Sequence, residues 1–445
     1  MRKTLCSLSL LLLSTLPLSA NIWPEFRGPS GDGIAQAENL PSEFGPEKNL
    51  VWKTALPGRG WSSPVYDGEF LWLTTAKEIF PSEEERLRIL ESAGEEAKTF
   101  KVRQVATRIE LSILKVDFES GKIEKEIALE SVENPQTIHT LNSFASPTPC
   151  LKGKRLFAHF GTFGTYCIDT EKNEVAWKKR IELEHGVGPG SSPVVYDDLL
   201  ILICDGVDRQ FVTALNIDSG ETVWTTERPE MRAEKGDQKK SYNTPLIIRN
   251  EGGKGSDQLI CMGAQWMVSY DPLTGKEIWK FDHGSGFSVV PRPVYSEKHQ
   301  LLYFSTGFGK PELVAMHIDR TGDVTEGDAV EWRETKRIPA KPSPLLVGDE
   351  LYVISDGGIA TCFNAANGEV YWNERIDGNY SASPLLADGK IFFASQEGNI
   401  TVVAPGKDYS MIAKNSLDES IMASPIALGE SLILRSESAI YRFSK

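Results

Sequence analysis

Residues 343–374 open with Ser343-Pro344-Leu345-Leu346-Val347-Gly348-Asp349. They run on through Leu351-Tyr352-Val353-Ile354, Asp356-Gly357-Gly358, Ile359 to Asn364, Asn367-Gly368 and Val370-Tyr371-Trp372. Four short apolar runs are separated by three turn dipeptides of the Gly-Asp, Asp-Gly and Asn-Gly kind. Such dipeptides supply the positive φ that tight antiparallel hairpins need. Forty residues after Pro344 the pattern restarts at Ser383-Pro384.

Outward from this unit, Pro64, Pro147, Pro193, Pro245, Pro293, Pro344, Pro384 and Pro425 each precede a short apolar run. Proline is tolerated at the first residue of a strand, where its missing N–H breaks no ladder bond. The second half of the unit recurs as well, as a small residue, an Asx-closed turn, a Gly and then a Trp. It ends at Trp177, Trp224, Trp279 and Trp372, and at Trp332 after an insertion that begins beyond Ala315. A unit this small cannot bury two sheet faces alone, so the units must stack. Four-stranded units of this length stacked radially are propeller blades. The expected fold is all-β: an eight-bladed β-propeller of four-stranded antiparallel blades. The last unit, Ser424 to Phe443, has only three strands. Leu50-Val51-Trp52-Lys53 is expected to supply the fourth, with Trp52 in the structural role of the other tryptophans, between adjacent blades.

Two segments depart from the repeat. Pro81 to Ala97 carries Ser82 with Glu85 three residues on, followed by good helix formers, which predicts a short helix inserted in blade one. Glu227 to Lys240 is charged and reads as a loop.

The repeat resembles the quinoprotein-type, PQQ-like eight-bladed propellers, the group that includes PQQ-dependent alcohol dehydrogenases and BamB-like assembly factors. The resemblance spans residues 50–445. Trp23-Pro24-Glu25-Phe26-Arg27-Gly28-Pro29 is similar to the start of exported bacterial proteins with PQQ-binding-like repeats. The resemblance implies a non-catalytic binding platform or assembly scaffold, or else a PQQ-dependent dehydrogenase. In such dehydrogenases the quinone needs Ca²⁺ held by Glu, Asn and Asp, a catalytic Asp and a vicinal disulfide. This chain has no adjacent cysteines and no Cys-x-x-Cys-His site. No cofactor is therefore expected, with PQQ and Ca²⁺ the disfavoured alternative.

Residues 1–20 read as an export signal: Arg2-Lys3, an apolar run from Leu8 to Leu18, then Ser19-Ala20. That run is too short for a transmembrane span, and Cys6 precedes it, so a lipid-anchoring signal is not supported. Residues 21–49 form an amino-terminal extension and 50–445 the propeller. The expected location is the periplasm or the cell exterior. The formal net charge is −14, or −16 without Arg2 and Lys3, and no basic cluster stands out. Nucleic acid would meet a repulsive mean field. Cys150, Cys167, Cys204, Cys261 and Cys362 each sit in an apolar run, as buried strand residues would.

In a four-stranded blade, the loop into the innermost strand and the loop between strands two and three share one face. Arg59, Trp61, His139, Asn142, His185, Tyr242, Asn243, Phe287, Arg292, Asn379 and Tyr380 fall on the first set of loops. Asp205, Asp208, Gln265, Trp266, Asp356 and Glu397 fall on the second. Together they are the expected ligand-binding mouth. Aromatic, amide and charged groups around one concave opening suit a protein, a glycan or another polar small molecule. A carbohydrate-binding or carbohydrate-active propeller is thus a further alternative. His139, His185 and Asp205 could together offer metal ligands, but no His-x-His or His-Glu-x-x-His supports such a site, and no metal is expected. No catalytic residue is assigned, since neither a Gly-x-Ser-x-Gly elbow nor a phosphate loop is present.

Overall fold

The computed structural model describes residues 22–250 and 256–445, so the export signal read in residues 1–20 lies outside the described residues. Eight antiparallel sheets form the eight blades of a propeller. Blade 1 comprises Val65–Tyr66, Phe70–Ile79, Arg108–Asp117 and Ile123–Glu133. The unit that opened the sequence reading is blade 6, with strands Leu345–Val347, Glu350–Ile354, Ile359–Asn364 and Val370–Arg375. Blade 8 takes three strands from the carboxyl terminus and its outermost strand, Leu50–Ala55, from near the other end. That strand pairs antiparallel with Ala439–Phe443. The ring is closed as the missing fourth strand required.

The blades are joined by the repeated tryptophans. Trp52, Trp177, Trp224, Trp332 and Trp372 sit on outermost strands, and each indole N–H donates to a turn carbonyl of the next blade. The acceptors are Phe118, Ile217, Pro272, Ala365 and Gly406, at 2.9–3.2 Å. Under Trp52, Trp177, Trp224 and Trp332 a glycine of that next turn, Gly121, Gly220, Gly275 or Gly368, lies against the indole. At Gly220, where φ is +71°, an added Cβ would stand 2.7 Å from Trp177 Cε3. Trp279 differs: it is fully buried and donates at 2.8 Å to Gln258 Oε1 of its own blade. The insertion after Ala315 is the reason. Its strand Gly322–Asp323 lies parallel to Glu277–Asp282 of blade 4 and covers Trp279.

At the inner edge a second link runs around the axis. The residue before each strand-leading proline is held extended by the proline ring, which aims its hydroxyl at the blade before it. Ser63 N–H donates to Thr148 Oγ1, Thr148 N–H to Ser192 Oγ, and Ser192 N–H to Thr244 Oγ1, at 3.0, 2.9 and 3.3 Å. Beyond blade 5, Arg292, Ser343 and Ser383 N–H donate to Ser343, Ser383 and Ser424 Oγ at 2.9–3.0 Å. Ser63 Oγ closes the circuit on Ser424 O. This relay corrects one anchor. In blade 2 the strand Cys150–Lys152 follows Thr148-Pro149, so Pro149 and not Pro147 is the equivalent proline. In blade 5 the hydroxyl position is Arg292, and Asn243 Nδ2 bridges the gap to Pro291 O at 2.6 Å.

Residues 22–49 pack as a strap across the far end of the channel. Trp23 pairs with Tyr66 of blade 1, Pro24 O accepts from Leu151 N–H of blade 2, and Phe26 O accepts from Arg292 of blade 5. Arg27 donates to Pro344 O of blade 6, and Ile34–Ala35 joins blade 7 as a parallel strand beside Leu385–Ala387. The predicted insertion in blade 1 is the helix Glu83–Ser92, capped by Ser82 Oγ accepting from Glu85 N–H. All five cysteines named above are buried and unpaired. Among the described residues no helix is long and apolar enough to cross a membrane.

Replacing Gly220 by Ala should destabilise the protein by about 2–3 kcal/mol, because left-handed strain adds to a clash with the Trp177 ring. Gly389 has a similar φ of +65° but nothing within 4 Å of an added Cβ; its Ala variant should lose only about 1 kcal/mol. Urea midpoints compare the two. Equal losses would mean that the indole contact is not tight.

Candidate functional site

The face carrying the loops into the innermost strands opens into a central cavity of about 530 Å³. The hydroxyl ring, Ser63, Thr148, Ser192, Thr244, Ser343, Ser383 and Ser424, encircles its base. Phe26 of the strap reaches it from below, so the channel is stopped and the cavity is a cup. Trp61, Leu141, Val187, Tyr242, Phe287, Val290, Phe308 and Met422 make the wall apolar. Its charged groups are Arg103, Lys240 and Lys341, with Asp237 as the lone carboxylate lining it.

Of the mouth residues expected from sequence, Trp61, His139, Asn142, Tyr242 and Phe287 line the cup. Arg59 sits behind Trp61, its guanidinium 5.2 Å from the ring and paired with Glu78 at 3.1 Å. Asn142 Nδ2 donates to Val187 O and Pro189 O, and Tyr242 Oη donates to His185 O at 3.0 Å. His139 Nδ1 accepts from Leu141 N–H at 3.0 Å. Burial, and then the cations Arg103, Lys240 and Lys341, hold its imidazole below the usual histidine range.

The remaining residues do other work. His185 is buried, with Nε2 accepting from Thr162 N–H at 2.8 Å. Asp205 is buried against Arg228, which grips it twice, at 2.9 and 3.1 Å. These commitments separate both residues from His139 as ligands of a shared metal. Asp208 accepts from Glu184 N–H, and Asp356 accepts from Ala340 and Lys341 N–H. Asn243 and Tyr380 are fully buried. Gln265 is buried and accepts from Arg232 N–H. Trp266 lies outside the cup, flanked by Arg232 and Lys280 at 5.8 and 5.7 Å. Glu397 accepts from Asn379 on the same rim. Arg292 points to the opposite end, pairing with Glu25 at 2.8 Å. Loop membership had placed it at the mouth; its side chain turns down to hold the strap.

Several lining residues escaped the sequence reading. Phe26 lies in the amino-terminal extension, remote from any repeat. Asp237 and Lys240 lie in the charged departure Glu227 to Lys240, and that charge was the available signal. Thr99, Val102 and Arg103 belong to the turn Ala97–Val102 and the strand after it, so this segment, not the helix Glu83–Ser92, reaches the cup. Arg103 ties it down by an ion pair to Glu95 at 2.8 Å and a bond to Gly186 O across the mouth.

Geometry thus defines a closed eight-bladed propeller with a stopped, apolar, cation-bearing cup on its axis. The family described as outer membrane protein assembly factor BamB matches residues 131–280 and 263–418, and the chain belongs to that family. Among solved structures it is similar to BamB from Moraxella catarrhalis, at 12% identity and a TM-score of 0.57 over 89% of this chain and 97% of that one. It is also similar to a europium-containing methanol dehydrogenase, at 11% identity and a TM-score of 0.51 over 96% and 99%. The carboxyl-terminal WD40 domain of Sif2 aligns at 12% identity and a TM-score of 0.54 over 92% and 99%. These likenesses are of fold. No curated protein matches the sequence.

Burial holds His159, His185 and His283 neutral, lowering them to about 3, about 4 and about 4. Below pH 6.5 the unfolded chain takes up protons that the folded protein refuses. The stability these groups contribute is therefore complete above pH 6.5 and is lost as pH falls towards 4. The melting temperature should drop across that window, and less steeply in His283→Gln. Parallel pH profiles for the two proteins would contradict this assignment.

Proposed function

We propose that this protein is an exported, non-catalytic binding platform that serves outer-membrane protein assembly, the role its family's description names. The observation that carries the reading is that the carboxylates of the mouth are committed to the fold. Asp205 is consumed by Arg228, Asp356 by two backbone N–H groups, Glu397 by Asn379 and Asp237 by Lys240. The hydroxyls of the inner ring are engaged with backbone groups, six accepting from N–H groups and Ser63 donating to Ser424 O, and among the described residues none has a base hydrogen-bonded to it. Nucleophilic and acid–base catalysis both need such groups free to exchange protons with a substrate.

The same donor set does not fit a quinone held by Ca²⁺. That cation takes six to eight oxygen ligands, with carboxylates among them. The cup offers one carboxylate, already paired with a lysine, beneath three cations. Among the described residues no group of three His, Cys, Asp or Glu side chains is placed to hold a metal ion. Nor do the tryptophans favour a sugar platform, since Trp266 is flanked by two cations and lies outside the cup.

A platform needs apolar anchors on its open face. Leu141 is 47% exposed and Phe308 37%, both at the rim of the cup, with Phe80 at the end of a strand on the same face. Large apolar side chains exposed in one region mark a protein contact. A photo-crosslinker placed at Leu141 or Phe308 in the exporting cell should form an adduct with a component of the outer-membrane assembly machinery. The same group at Val223, on the outer strand of blade 3, should form none. Adducts from Val223 alone, or appreciable dye-linked alcohol oxidation with added PQQ and Ca²⁺, would overturn the reading.

A further inference from the structure

The cup is more than the space left between blades. Its volume of about 530 Å³ falls inside the range of roughly 300–1,000 Å³ in which small-molecule sites lie. Its two ends have the same electrical preference. At the base, the hydroxyls of Thr148, Ser192, Thr244, Ser343, Ser383 and Ser424 have each given a lone pair to an N–H of the neighbouring blade, while Ser63 donates its proton to Ser424 O. A hydroxyl so engaged keeps its proton to donate. At the top stand Arg103, Lys240 and Lys341, in a chain whose formal net charge is −14.

Two of these groups are short of partners. Lys240 is 3% exposed, and among the described residues the Asp237 carboxylate alone replaces its hydration. Lys341 Nζ stands 3.4 Å from Asp356, a long contact for an ammonium. On the wall between the two ends, the indole N–H of Trp61 is buried without an acceptor among the described residues. An indole N–H without an acceptor on the wall, and ammonium groups with a single carboxylate partner each at the top, call for a ligand that brings acceptor oxygens. A cation would meet three cations and one carboxylate already taken. A polyol would leave the apolar wall unsatisfied.

We infer that the cup is a binding site for a small organic carboxylate with an apolar body. The body packs against Phe287, Val290 and Trp61, and the carboxylate is received by Lys240 and Lys341. This site is independent of a protein partner on the rim, and either can fail without the other.

Two matched series, measured on the full mature chain by calorimetry and thermal shift, test it. The first is indole-3-acetate, indole-3-acetamide and tryptamine; the second is octanoate, octanamide and octylamine. Within a series the body is constant and the charge runs from −1 through 0 to +1. In at least one series the acid should bind saturably and raise the melting temperature, with an affinity at least tenfold above its amide and its amine. Lys341→Met should cost that acid tenfold or more, and Val290→Trp, which fills the cup, should abolish binding. Lys407→Met, at a turn of blade 7, should leave binding unchanged. Should Val290→Trp fail to fold, Lys341→Met alone decides the location. The proposal is overturned if neither acid binds more tightly than its amide and amine, or if Lys341→Met binds the acid as the unsubstituted protein does.

Discussion

Everything at the axis of this protein depends on one repeated hydrogen bond, from the N–H of a pre-proline residue to the hydroxyl of its counterpart in the next blade. The proline fixes the residue before it in the extended region and, having no N–H, makes no competing donation. Serine or threonine is short enough for its oxygen to stay at the inner edge. The bond is modest singly, about 1 kcal/mol net, but each one sets the spacing of two inner strands. Where the chain places Arg292 at this position, an asparagine bridges the gap, and the freed arginine side chain turns to the strap instead.

The outer link works differently and complements it. Trp52, Trp177, Trp224, Trp332 and Trp372 each pack a large ring on the neighbouring blade while the indole N–H satisfies a turn carbonyl there. A ring held at both radii has little freedom to open, and the strand Leu50–Ala55 completes it by pairing with Ala439–Phe443. Arg435 and Arg442 reinforce that seam. Arg435 donates to Ser62 O and Thr74 O of blade 1, and Arg442 donates to Phe118 O. The strap then stops one end of the channel, which turns a pore into a cup.

Blade number and closure were legible because their signals are local and repeat: a turn dipeptide, a strand-leading proline, a tryptophan at fixed offset. Trp52 could be assigned to blade 8 since a three-stranded last unit leaves a vacancy of known kind. Ser146-Pro147-Thr148-Pro149 holds two hydroxyl–proline pairs that the sequence does not distinguish, and the bond from Ser63 N–H to Thr148 Oγ1 decides for Pro149 over Pro147. The mouth was legible only as a set of loops. Topology says which loops share a face, but not which way a side chain turns: Arg292 points to the far end, and Asp205 folds onto Arg228. Phe26 and Lys240 carry no repeat signal, because the strap and the charged loop reach the axis by tertiary packing alone.

The most direct measurement is amide hydrogen exchange at the inner edge. Ser63, Thr148, Ser192, Arg292, Ser343 and Ser383 border a cavity open to solvent, so exposure by itself would let their N–H groups exchange quickly. If the inter-blade bonds hold the axis together, these amides exchange only through global unfolding, as slowly as the central strands of the blades. Rapid exchange at these positions in an otherwise protected protein would show that the ring is held from outside, and that the relay at the axis is incidental.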